Sequence, residues 1–145
     1  MKFESVRYLS VMAEMEHLNR RHKEEIGDPS LELDVDHRWY VKADRDGNLV
    51  SVVARDDSGT LQGYAGFLIH PLLHYRGCIA ATNTAVYLAP EVRGHALRFF
   101  KAVERILAER KVHRIFYHIK LHHDFSRVMH FLGYTDIEKV VYKVI

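Results

Sequence analysis

The chain predicts an α/β domain of the α+β type. Its sheet is mixed and mostly antiparallel, closed by a β-α-β crossover, with one splayed strand pair. Three observations carry this expectation. The apolar runs Leu49–Ala54 and Leu61–Ile69 flank the turn Asp56-Asp57-Ser58-Gly59 and read as an antiparallel hairpin. The stretch from 79 to 119 passes through strand, helix and strand patterns, which calls for a crossover and a parallel pair. At 145 residues and 48% apolar content, the chain is long enough for a single core, so 1–145 is expected to be one domain.

The remaining elements follow in order. Residues 2–6 (KFESV) suit a short first strand. From about 8 to 26, Leu9, Met12, Ala13 and Leu18 form an approximate helical stripe that stops at Gly27-Asp28-Pro29. A short helix is expected over 36–44, capped by Asp34 or Asp36, with Trp39 and Val41 among its apolar groups. Asp46-Gly47-Asn48 is a turn. After the hairpin, a His- and Tyr-rich loop (70–77) leads to a strand at about 79–88. A helix over about 94–110 shows Leu97, Phe100, Val103 or Glu104, and Leu107 at core spacing. Strand 114–119, a helix from Asp124 to Leu132 closed by Gly133, and a last strand at about 134–144 complete the pattern.

Composition narrows the function classes. Lys+Arg number 21 against 19 Asp+Glu, a net charge of +2, and no basic stripe stands out. The segment Arg20-Arg21-His22-Lys23 runs straight into Glu24-Glu25 and reads as a solvated helix face. Nucleic acid is therefore not an expected partner. The one cysteine, Cys78, allows no internal disulfide and reads as a small buried hydrophobe. No apolar run nears the roughly 18–20 residues of a membrane span. A cytoplasmic protein without a membrane partner is expected.

The segment "YLAPEVRGHALRFF" (87–100) puts Arg93-Gly94 at the mouth of a helix. Free N–H groups and the helix dipole make such a mouth a natural anion site. A ligand is expected there, at the C-terminal end of strand 79–88, where neighbouring strands splay.

The order of elements, with "VYLAPEVRG" at the strand-to-helix junction and "HFLGY" before the last strand, resembles the GNAT family of acetyl-CoA-dependent N-acetyltransferases. "LHYR" (73–76), "FKAVE" (100–104), "YHIK" (117–120) and "HDF" (123–125) extend the resemblance to the small acetyltransferases of tailed bacteriophages. The resemblance implies a GNAT-like domain with acetyl-CoA as cofactor. It also implies that Tyr87, Leu88 and Ala89 bind the pantetheine arm through their backbone. Arg93, Gly94, His95, Ala96, Leu97 and Arg98 would form the phosphate loop. This loop is poor in glycine, so the charge of Arg93, His95 and Arg98 is expected to compensate.

Two groups usual in that family are missing. Strand 81–87 (ATNTAVY) carries no carboxylate, and Met129 stands where a thiolate-protonating tyrosine would be. Among eleven histidines, His118 and His74 are the leading candidates for the base, because imidazole titrates near neutrality. Asn83 is a third catalytic candidate. The cluster His118, His122, His123 and Asp124 contains metal-ligand residue types, but strand and turn do not present them on one helix face; no metal is expected and Asp124 reads as a cap. Tyr134 and Phe131 read as core, and Trp39-Tyr40 as packing under the first two helices. The expected function is acetyl transfer from acetyl-CoA to a primary amine, either a host protein lysine or terminus or a small amine. The alternative is a catalytically silent GNAT scaffold, phage-encoded, that binds a host protein in the host cytoplasm. A homodimer is left open.

Overall fold

The computed structural model describes residues 1–145. Its sheet has five strands in the order β1-β2-β3-β4-β5: β1 (Lys2–Val6), β2 (Leu49–Arg55), β3 (Leu61–Pro71), β4 (Ile79–Leu88) and β5 (Arg114–Phe116). The first four pair antiparallel, and β5 joins β4 in parallel. The mixed sheet, its crossover and its single domain agree with the expected architecture.

Helices α1 (Tyr8–Ile26) and α2 (His37–Arg45) cover one face. Asp36 caps α2, accepting from the Trp39 N–H at 3.0 Å. The core on this side unites Tyr8, Val11, Met15 and Leu18 with Leu49, Val53, Tyr64 and Tyr87. The stripe of α1 is therefore rotated from the expected one: Leu9 is 60% exposed, and Tyr8, Val11, Met15, Leu18 and Ile26 are buried. Tertiary contact with the sheet overrode a weak periodicity. Helices α3 (Ala96–Glu109) and α4 (Ser126–Phe131) cover the other face, where Phe99, Phe100, Val103 and Leu107 pack on Val50, Val52, Ala65 and Phe67.

Several expectations need correction. The helix expected from 94 starts at Ala96, because Pro90–His95 winds as a 3-10 turn. Leu97 is 39% exposed, and Phe99 takes its expected place in the core. Strand 114–119 shortens to the three residues Arg114–Phe116. No strand forms over 134–144; Ile137, Val140, Val141, Tyr142 and Val144 are all exposed. Strand propensity there is unmet because β5 is too short to template a further partner. Phe131 is 75% exposed rather than core, and Tyr134 is half-buried. Cys78 is likewise only half-buried. No helix is long and apolar enough to cross a membrane.

Candidate active site

The site begins with a split in the sheet. Pairing of β4 with β5 covers only Ala80–Arg114, Ala81–Ile115 and Thr82–Phe116. Beyond that point Asn83 wedges between the two segments. Its Oδ1 accepts from the His118 N–H at 2.6 Å, and its Nδ2 donates to the His118 carbonyl at 3.3 Å. A side chain thus occupies the groups a longer β5 would have used for strand pairing, which explains why β5 stops early. On the other side of β4, Gly66 faces Ala85 and Phe67 faces Asn83, so Thr84 is an extra, bulged residue. Bulges re-aim side chains and end pairing; here the bulge lies beside the split. The β4 edge from Thr84 to Leu88, including Tyr87 and Leu88, is left without a strand neighbour on this side.

At the far end of that edge stands the N-terminus of α3. His95 makes no side-chain cap, and the first turn contains no acidic residue. The positive end of the helix dipole is suited to an anion. The guanidinium groups are disposed differently from the expectation. Arg93 Nε donates to the Leu88 carbonyl at 3.1 Å, and its NH2 group pairs with Glu25 of α1. Burial works against ionisation of Glu25, but the hydrogen bond and charge of Arg93, aided by the Tyr87 hydroxyl, outweigh it and hold the carboxyl below its usual range. Arg98 turns toward the opposite edge of the sheet and lies 5.8 Å over the Phe3 ring. Glu91 in the 3-10 turn is held by Arg21 at 2.8 Å. The Ala96 N–H donates to the Arg93 carbonyl as the 3-10 turn runs into α3, and Arg93 itself is engaged by a carboxylate, so a phosphate here would rely on the positive end of the α3 dipole more than on a ring of free N–H groups.

On the α1/α2 face the bulge forms the floor of a cavity of about 230 Å³. Gly66, Thr84 and Ala85 supply this floor, and Tyr8, Tyr40 and Tyr64 supply aromatic walls. Tyr8 stacks on Tyr40 at 4.9 Å, and its hydroxyl shares a 2.9 Å hydrogen bond with His37 Nδ1. Burial, with the neighbouring Tyr40, pushes the Tyr8 phenol up to about 12. His22 of α1 shares a 2.7 Å hydrogen bond with the Tyr64 hydroxyl and stacks on Tyr87 at 5.0 Å. Burial, then the charge of His123, lowers His22 to about 4, so its ring is neutral at physiological pH. Tyr40 thus lines a cavity, while Trp39 is 45% exposed rather than packed beneath the helices.

The catalytic candidates are dispersed. His118 is exposed beside the split, its backbone tied to Asn83. His74 sits in the exposed loop that joins β3 to β4, closed by the Leu72 N–H to Cys78 carbonyl bond of 2.9 Å. Since β4 rises about 3.3 Å per residue, the end of that loop at Ile79 is about 13 Å along the strand from Asn83. Asn83 and His118 come together; His74 does not join them. Met129 is 2% exposed and packs in the α3 core. His122 Nε2 contacts the Ile26 carbonyl and His123 faces Glu25 at 3.7 Å, so the histidine cluster points to separate partners. The helix expected from Asp124 starts at Ser126 with Phe125 at its N-cap, so Asp124 is one residue too early to cap it and instead accepts from the Ser126 N–H at 2.7 Å in an Asx turn.

Sequence reasoning missed Tyr117, one residue before His118. Its hydroxyl is buried without a hydrogen-bond partner, in a ring cluster with Phe67, Phe100, Phe125 and Tyr134. Burial, then the nearby Tyr134 and Glu104, push this phenol far above 10, so it stays protonated. It missed the His22–Tyr64 pair as well. The alternation of Tyr64 and Gly66 on β3 was the only available signal for that pair, because its partner lies 42 residues away.

The open sheet with a split between β4 and β5 and a helix N-terminus over the split defines the class: this is the GNAT acetyltransferase fold. The chain superposes over its full length on solved members. A ribosomal-protein-alanine N-acetyltransferase from Brucella melitensis biovar Abortus 2308 shares 16% identity at a TM-score of 0.72, covering 100% of this chain and 99% of that one. A predicted acetyltransferase from Clostridium acetobutylicum, solved with acetyl-CoA, shares 15% identity at 0.72, covering 99% and 95%. An aminoglycoside acetyltransferase from an uncultured soil metagenomic sample, in complex with trehalose, shares 12% identity at 0.73, covering 99% and 94%. No protein-family model matches the chain, and no curated protein sequence matches it.

Proposed function

We propose that the protein transfers an acetyl group from acetyl-CoA to a primary amine. The observation that carries this reading is the split between β4 and β5, running into an uncapped helix N-terminus. Acetyl-CoA would supply an activated thioester carbonyl. The open β4 edge from Thr84 through Tyr87, Leu88 and Ala89 would hydrogen-bond the pantetheine arm. The phosphates would lie over the segment Gly94, His95, Ala96, Leu97 and Arg98, at the positive end of the α3 dipole. Asn83 and His118 stand beside the split, with the Asn83 amide holding the His118 backbone and the His118 imidazole as the base in this reading. The cavity under α1 and α2 shares its Thr84-Ala85 floor with this edge, and it is where the acceptor would lie. The motif resemblance to phage acetyltransferases supports action in a host cytoplasm.

A second reading draws on one observation. Arg93, the cation nearest the phosphate loop, is already bound by Glu25 and the Leu88 carbonyl, as expected of a scaffold that has given up its cofactor and binds a host protein instead. Titration with acetyl-CoA and desulfo-CoA, followed by thermal unfolding, separates the two. At about 100-fold Kd, binding stabilises the native state by about 2.7 kcal/mol. Release of coenzyme A thiol with an amine present supports the enzyme. No stabilisation at millimolar cofactor would refute it and leave the scaffold reading.

A further inference from the structure

We infer that the acceptor is a small arylalkyl primary amine, taken up uncharged, with one ring on a short arm, bound in the cavity between α1, α2 and the sheet. This rests on the acetyl-transfer reading and names its substrate class.

None of the 17 residues lining the cavity is Asp or Glu. A polycation such as a polyamine or an aminoglycoside would shed its hydration there with no carboxylate to meet it, which is costly. The charged groups near the cavity do not help such a ligand: Lys23 is itself a cation whose Nζ donates to the Asp28 carbonyl, and His22 is neutral. The walls instead are aromatic, with the ring of Tyr8 stacked on Tyr40 and the ring of Tyr64 standing on the same face of the sheet. Such faces favour an aromatic guest. Size sets a second limit. An apolar cavity of about 150 Å³ accepts benzene, so 230 Å³ holds one ring and a short arm.

The floor decides orientation. Gly66, Thr84 and Ala85 lie at the bulge beside the split, so a ring seated against the tyrosines directs its amine toward the open β4 edge. The same apolar lining bears on the missing carboxylate base. Low dielectric disfavours the ammonium form, so the amine leaves its extra proton in water as it enters. The nitrogen lone pair then forms the N–C bond to the thioester carbonyl, and the C–S bond breaks with its electron pair going to sulfur. One N–H proton passes from nitrogen to that sulfur. The products are an acetamide and the coenzyme A thiol.

The test uses the whole chain. Melting temperature is followed with phenethylamine alone and with desulfo-CoA alone, and acetyl transfer is followed by mass spectrometry with phenethylamine, butylamine, spermidine and kanamycin. Phenethylamine is expected to raise the melting temperature without cofactor and to exceed butylamine in kcat/KM by at least about tenfold, the weight of several contacts in an apolar pocket. Ser51→Leu, and independently Asn19→Phe, narrow the cavity and should abolish the phenethylamine shift while the desulfo-CoA shift remains. Spermidine or kanamycin turned over as well as phenethylamine would overturn the proposal, as would a phenethylamine shift that survives both substitutions. A desulfo-CoA shift without any phenethylamine shift would overturn it and leave acetyl transfer standing. A phenethylamine shift without a desulfo-CoA shift would sustain the occupant of the cavity and remove the transfer reading.

Discussion

Lowering the pH from 8 to 5 is expected to cost the fold about 2 kcal/mol through His22 alone. This ring is half-buried under α1, stacked on Tyr87 at 5.0 Å and hydrogen-bonded to the Tyr64 hydroxyl at 2.7 Å. Burial, followed by the charge of His123, brings it from 6.5 in a free chain to about 4 in the fold; Glu25 opposes the shift and Lys120 adds to it. The unfolded chain therefore binds a proton below 6.5 that the folded chain refuses until about 4. The stability this contributes is complete above 6.5 and falls away as the pH drops toward 4. Each pH unit in that window costs about 1.4 kcal/mol, so the loss approaches about 3 kcal/mol at its lower end. Urea unfolding of the native chain and of His22→Gln at pH 8, 7, 6 and 5 measures the effect as a difference, which cancels the other ten histidines. Glutamine keeps a hydrogen-bonding partner for Tyr64 without a titrating group. Equal pH slopes for the two proteins, at equal m-values, would show that His22 is solvated or paired in the fold and would refute the argument.

The other predictions concern the core, the loop and the split. Phe99→Ala should destabilise by about 3–5 kcal/mol, the cost of deleting a fully buried ring, whereas Leu97→Ala should cost under about 1 kcal/mol because Leu97 is partly exposed; equal losses by calorimetry would put α3 in another register. Tyr117→Phe should leave the melting temperature unchanged or raise it, since the hydroxyl removed has no partner; a clear loss would mean that a hydrogen bond is being made. Glu25→Gln should free Arg93, tightening desulfo-CoA binding about tenfold while lowering stability slightly; calorimetry showing weaker binding would mean that the Glu25–Arg93 pair organises the loop rather than competing with the phosphates. For an active enzyme, His118→Ala should lower kcat/KM by about 10²–10⁴, while His74→Ala, in the loop before β4, should match the unsubstituted protein across acceptors of different pKa.

The sequence by itself determined the local and strongly patterned parts of the molecule. The hairpin of β2 and β3 was legible because its turn is closed by neighbours: Asp56 accepts from the Ser58 and Thr60 N–H groups, and its carboxyl falls to about 2 through the Ser58 and Gln62 hydrogen bonds. Gly59, at φ 88°, supplies the left-handed residue that turn needs. The cap at Asp36 and the Gly133 stop at φ 93° are local in the same sense. The crossover that leaves a split was legible as well, because strand and helix periods alternate over a stretch too short for another topology. What only the tertiary structure decided depends on groups far apart in the chain. The buried face of α1 was set by the sheet it meets. The length of β5 was set by Asn83, 35 residues before the His118 backbone that it holds. The availability of Arg93 was set by Glu25, 68 residues earlier. The strand expected over 134–144 has the right side chains but only the three-residue β5 as a neighbouring edge, and the aromatic cavity exists only where α1, α2 and the bulge converge. Periodicity and turn chemistry act between neighbours along the chain, whereas burial, ion pairing and strand pairing depend on which distant groups the fold brings within a few ångströms.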